Sequence, residues 1–214
     1  MRGTIAEVGV PILAIVSIFM LITPVPPFIL DLLIVLNAGA AFALLLMAVN
    51  IPEPVRFGAF PALLLLSVLF RVGLSLGASR FILTTGEAGR VIPALGALVS
   101  GQSWAVGLLF FVVLLVVQFV VVTSGASRVA EVAARFTLDA MPGKQMAVDA
   151  ELNAGLIDEE VAKARRREIE MEADFYGAMD GASRFVRGDA IAAAVILGAT
   201  AIGGLILGLV RGEG

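Results

Sequence analysis

The chain has 214 residues and a mean hydropathy of +1.01, with 59% hydrophobic and only 15% charged residues, far from the roughly half-apolar, quarter-charged mixture of a soluble domain. This is the composition of a membrane protein. With no cysteine and no histidine, disulfides, thiolate and imidazole metal ligands, Cys nucleophiles and Ser-His-Asp triads are all excluded. No catalytic residue, metal ligand or cofactor is assigned, and no enzyme is expected. The net charge of −3 conceals a cluster, because residues 124–187 hold 9 of the 15 basic and 12 of the 18 acidic side chains.

A hydrocarbon core about 30 Å thick takes about 20 apolar helical residues, and five runs approach that length. The first, residues 8–22, is closed by the proline-rich Thr23-Pro24-Val25-Pro26-Pro27, which cannot continue a helix. A cleaved signal peptide is the alternative for this run, but it lacks a small-residue cleavage site and leads straight into another span. The second run, residues 28–49, follows so closely that the two form an antiparallel hairpin. The third, residues 60–83, contains Arg71 and ends near Arg80; the fourth, residues 104–123, carries only Gln118 as a strongly polar interior residue; the fifth covers residues 190–210. The expected fold is therefore all-α and polytopic: spans one to four in residues 1–123, a helical loop at 124–187, and the fifth span and tail at 188–214. Lys and Arg number 11 on the side of the N-terminus and long loop (Arg2, Arg56 and the loop's nine) against 3 on the other (Arg80, Arg90 and Arg211). Short basic segments stay inside, so the N-terminus and the loop are expected in the cytoplasm.

Within the loop, Pro142-Gly143 and Gly155 punctuate helix-forming sequence, which predicts three helices, over 127–140, over 144–154 and from Asp158 onwards. In the first, Val129, Val132, Ala133 and Phe136 recur at helical spacing opposite Arg128, Glu131 and Arg135, an amphipathic pattern expected to dock by that apolar face. The third opens with Asp158-Glu159-Glu160, acid in the first turn, and offers Glu159–Lys163 and Arg166–Glu170 as i,i+4 pairs. Arg165-Arg166-Arg167 is followed by Glu168, Glu170 and Glu172 with no interleaved aromatics, so it reads as a solvated helix face rather than a nucleic-acid patch, and no nucleic-acid partner is expected. Pro142-Gly143-Lys144-Gln145 fails as a phosphate loop, since Leu138 stands where the pattern needs Gly and Gln145 where it needs Ser or Thr. Gly188-Asp189 lacks the second intramembrane Asp of an aspartyl protease.

Arg71 near the middle of a span needs compensation, either from an ion pair that fixes packing or along a polar conduit. Arg80, about 13 Å farther along a helix, suits the outer headgroups. Asp31 reads as an interfacial residue, and Asn37 as an amide bonding to another helix. Asp139, Lys144 and Asp149 recur every five residues around Pro142-Gly143 and read, by spacing, as turn and capping residues. Gly204/Gly208 and Gly39/Ala43 are small-xxx-small pairs that permit close helix approach.

The run RVAEVAARFTLDAMPGKQMAVDAELNAGLIDEEVAKARRREIEMEADFYGAMDGASRFVRGDAIA, residues 128–192, together with FRVGLSLGASR, residues 70–80, closely resembles the FHIPEP family of export-gate proteins of bacterial flagella and type III (injectisome) secretion. The resemblance implies a multi-pass inner-membrane subunit of a homo-oligomeric ring that couples proton motive force to the export of unfolded protein substrates. It implies as partners membrane lipid, other export-gate subunits and, through a C-terminal cytoplasmic domain not contained in this sequence, the export ATPase complex, chaperones and substrates. Lys144, Asp149, Asp189, Arg71 and Arg80 match the family's charged positions, and Arg128, Glu131, Arg135, Asp139, Pro142 and Gly143 its loop motif. On that basis Asp149 and Asp189 are expected to exchange protons, with Lys144 and the arginines setting their electrostatics. Ser75 departs from the family's usual Asn, and Ser124 from its usual basic residue. The missing C-terminal part makes the chain read as a fragment or truncated product. An ion-coupled secondary transporter or channel for a small solute is the alternative, although five spans show no repeated halves.

Overall fold

The computed structural model describes residues 15, 16, 18, 19, 23, 25–53, 55, 57–101 and 103–211, without the side chains of 122–124, 126 and 211. Most of the first predicted span, with Arg2, and also Arg56 lie outside the described residues. Within them the fold is all-α. Helix α1 spans Pro27–Asn50, α2 Phe60–Thr85, α3 Val91–Ser100, α4 Trp104–Val117, α5 Ser127–Asn153 and α6 Glu159–Arg211, and a π-helical segment, Gln118–Ala126, joins α4 to α5.

Local chemistry sets these ends. Proline occupies the first turns of α1 and α2, where a missing N–H costs nothing. Helices α2 and α3 stop at Gly86 and Gly101, whose φ values of 78° and 56° are left-handed and whose N–H groups bond back to Ile82 and Ala97, the usual glycine stop. Helices α1 and α2, the stretch Trp104–Val121, and a window within α6 are long and apolar enough to cross a bilayer, with mean hydropathies of 2.5, 1.9, 2.8 and 2.4. Most large apolar side chains of α1 and α4, among them Phe28, Phe42, Leu108 and Leu114, are exposed. That inverts the soluble pattern and fits lipid as the solvent. Helix α3, apolar but only ten residues long, is too short to span, and no sequence signal distinguished this helix.

Leu30 of α1 is fully buried against Leu74 of α2, with Leu33, Phe70 and Phe81 around them. Helix α2 also buries Gly73 and Gly77. The pairs Arg71–Asp189, Ser79–Thr200 and Leu83–Gly203 advance in the same direction along both chains, so α2 and α6 run parallel.

The loop departs from expectation. Residues 127–153 form one helix, with Pro142 inside it rather than at a break. Proline removes one backbone hydrogen bond and costs about 3 kcal/mol in a helix interior. Here the antiparallel α6 packs along α5 on both sides of that position, through a cluster of Val148, Ala162 and Ile169 flanked by Met141, Leu152 and Ile157. The face expected to dock is also not the one used. Val129 and Phe136 are 72% and 73% exposed, whereas Ser127, Ala134 and Val148 are buried. The predicted start at Asp158 holds: its Oδ1 accepts the Val161 N–H at 2.8 Å, an N-cap. Gly155, with φ 72°, closes α5 with its own N–H bonded to Leu152 and that of Leu156 to Glu151. From Glu159 the chain continues without a break for 53 residues, so the last loop helix and the fifth span are one rod about 80 Å long.

Candidate functional site

Four-residue spacing puts Arg71, Ser75 and Ser79 on one face of α2, and Asp189, Ala193, Ile196 and Thr200 fall on one face of α6. The two faces meet across a cavity of roughly 350 Å³ lined by Arg71, Ser75, Ser79, Gln118 and Thr200 among apolar side chains that include Leu74 and Ile92. Arg71 Nη1 lies 3.5 Å from Asp189 Oδ2, with the Asp189 side chain only 5% exposed and that of Arg71 48%. Each charge alone at this depth is expensive, and together they compensate. Arg71 therefore has the compensating partner its position demands, and the arginine also reaches the cavity.

Farther along, Ser79 Oγ and Thr200 Oγ1 are in short hydrogen-bond contact, and Thr200 Oγ1 also donates to the Ile196 carbonyl at 2.7 Å. Ser79 and Thr200 escaped the sequence reading; the available signal was the four-residue step from Arg71 through Ser75. Gln118 enters from the first residue of the π-helical segment, which packs on α6. A π-helix carries extra residues per turn and re-aims side chains, a device common at functional sites.

Asp149 and Lys144 are not brought to this site. Lys144 Nζ pairs with Glu172 and Arg166 Nη2 with Asp149 Oδ1, each at 2.5 Å, and Arg165 pairs with Glu151. These three bridges form a ladder between α5 and α6 on half-exposed side chains. Along α6 the Arg166 rung is about 34 Å, and the Glu172 rung about 26 Å, from Asp189. Two arginines read as a solvated face thus tie the hairpin together, and Arg166 reaches Asp149 rather than Glu170. Of the loop motif, Arg128, Glu131, Pro142 and Gly143 are exposed, and Arg135 and Asp139 form an exposed i,i+4 pair at 3.8 Å. Arg80 is exposed towards the far end of α2.

Asp31 does more than sit at an interface. Its carboxylate accepts the N–H of Arg90 at 3.0 Å and of Val91 at 3.1 Å, so α1 caps α3. Asn37 has no side-chain hydrogen bond among the described residues. Gly39, Gly204 and Gly208 face open space, while close approach occurs at Gly203, against Leu83, and at Gly107, against Ser100.

The FHIPEP family model matches residues 17–213. Among curated proteins, the chain is 50% identical over 205 residues to the flagellar biosynthesis protein FlhA of Bacillus subtilis, covering 96% of this chain and 30% of that protein. It is 48% identical over 206 residues to FlhA of Proteus mirabilis, covering 94% and 30%, and 48% identical over 216 residues to FlhA of Caulobacter vibrioides, covering 99% and 30%. The chain thus spans about three tenths of the length of the curated relatives it matches. No solved structure matches it.

Proposed function

This chain belongs to the FHIPEP family, and from that premise we propose that it is the membrane part of a flagellar protein-export gate, in which Asp189 takes and releases protons to couple proton motive force to the export of unfolded substrates. The observation that carries the reading is the Arg71–Asp189 pair, whose arginine lines a cavity that also holds three hydroxyls and an amide, with Asp189 reached through Arg71. The buried carboxylate is linked to that cavity through Arg71, and a proton gained or lost at Asp189 changes the strength of the pairing. The flagellar choice rests on the names of the relatives.

In this reading the N-terminus and the α5–α6 hairpin face the cytoplasm of a bacterial inner membrane, as the 11-to-3 distribution of basic residues supports. Lys144 and Asp149 hold α5 to α6, so that the hairpin moves as one body with the span carrying Asp189. Several copies form a ring, for which the uncovered Val129–Val132–Phe136 stripe and the open Gly204 and Gly208 provide surface. Export ATPase, chaperones and substrates dock on the remaining part of the full-length protein.

The test fuses this segment to the C-terminal part of a related gate and scores secretion of a flagellar substrate. Asp189→Asn is expected to abolish secretion while ring assembly and membrane level stay normal. Wild-type secretion by an assembled Asp189→Asn gate rules the reading out.

A further inference from the structure

Resting on the proton-pathway reading, we propose that the Ser79–Thr200 hydroxyl pair is the closing contact of the crevice, where the hydrogen-bonded path leading away from Asp189 is interrupted. A threonine hydroxyl has one hydrogen. Thr200 commits it to the Ile196 carbonyl at 2.7 Å, so in the contact with Ser79 the serine donates and Thr200 accepts. The chain of hydrogen bonds then runs from Ser79 to Thr200 to a helix carbonyl, and a carbonyl holds no proton to hand on. The path ends there.

What lies beyond reinforces the stop. A β-carbon on Gly203 would meet Leu83 Cδ2 at 3.0 Å, so immediately past the hydroxyls the two helices are in apolar contact with no room for water between them at that position. On the near side the cavity continues past Ser75 and Gln118 to Arg71. Crevice, hydroxyl clasp and apolar seal therefore follow one another along parallel helices. The clasp is also the part able to open. Threonine in a helix divides between two rotamers, because its hydroxyl can bond the carbonyl three or four residues back, and a turn about one bond releases Ser79.

A pair that serves only to glue helices together predicts lost stability on substitution and unchanged permeability, which separates the two roles. The 214-residue chain is reconstituted into liposomes containing a pH-sensitive dye, and a pH step is applied. Ser79→Ala/Thr200→Ala is expected to raise the rate of internal pH change several-fold over wild type, while Thr200→Ser, which keeps the hydroxyl, retains the wild-type rate. A double-alanine variant with wild-type helicity and melting temperature that equilibrates no faster than wild type overturns the proposal. So does a Thr200→Ser variant that leaks as fast as the double-alanine one. Because the chain contains no cysteine, Ser79→Cys/Thr200→Cys gives an independent measurement: tight when oxidised and leaky when reduced, with equal rates in both states counting against the closure. Adding Asp189→Asn to the leaky variant is expected to restore the slow rate. If the leak persists there, the closing contact stands and Asp189 leaves the path, so the two readings fail separately.

Discussion

Gly89 approaches Asp31 so closely that a β-carbon on the glycine would sit 2.6 Å from the aspartate Oδ1, and its φ of +68° is left-handed as well. Helix α1 thereby holds the start of α3 through backbone N–H groups. Gly89→Ala meets both a steric block and a backbone penalty of about 1–2 kcal/mol, and Asp31→Ala removes a cap worth about 0.5–2 kcal/mol. Both are expected to lower the melting temperature in detergent and to open the segment between α2 and α3 to protease. Asp31→Asn retains an acceptor oxygen and is expected to lose less. Equal melting temperatures for Asp31→Ala and wild type would show that the cap contributes nothing.

Arg71→Met strands the Asp189 carboxylate in a buried site, and breaking one side of such a pair costs about 3–5 kcal/mol. The double variant Arg71→Met/Asp189→Leu removes both charges and is expected to recover most of the stability and none of the secretion. This pair of variants tells a packing clasp from a conduit. Recovery of secretion along with stability would leave Asp189 with a structural role only.

The ladder between α5 and α6 lies on half-exposed side chains, where an ion pair contributes about 0–1 kcal/mol. Asp149→Arg is thus expected to change thermal stability little, yet to impair secretion by placing like charge against Arg166. The swap Asp149→Arg/Arg166→Asp is expected to restore secretion, and a swap that fails to do so assigns Asp149 a role outside the ladder.

Pro142 lies within α5, and Pro142→Ala returns the missing N–H to the helix. Stabilisation of up to about 3 kcal/mol is expected, visible as slower amide exchange around residues 138–146. Unchanged exchange there would mean that the helix has already relaxed around the proline.

Much of this was legible in the chain itself. Uninterrupted apolar length announced the spans, Asp158 announced the start of α6, and a charge inside a span announced that Arg71 needed a partner. Contacts between distant segments were not. Pro142 and Gly143 are strong local punctuation, and only the neighbouring α6, remote in sequence, explains why the helix runs through them. The apolar spacing of Val129, Val132 and Phe136 was real, but it cannot say whether a helix turns that stripe inward or, as here, buries Ser127, Ala134 and Val148 instead. Ser79 and Thr200 look unremarkable in apolar runs; their pairing depends on the parallel register of α2 and α6. Asp149 and Asp189 share a chemistry and a family resemblance, and the rigid length of α6 keeps them apart.

That unbroken α6 has a geometric consequence. With the hairpin's Asp149–Arg166 rung about 34 Å from Asp189, a tilt of only about 5° at the membrane displaces the rung by about 3 Å. A small change of packing where α2 meets α6 is thus magnified by leverage into a much larger shift in position at the hairpin.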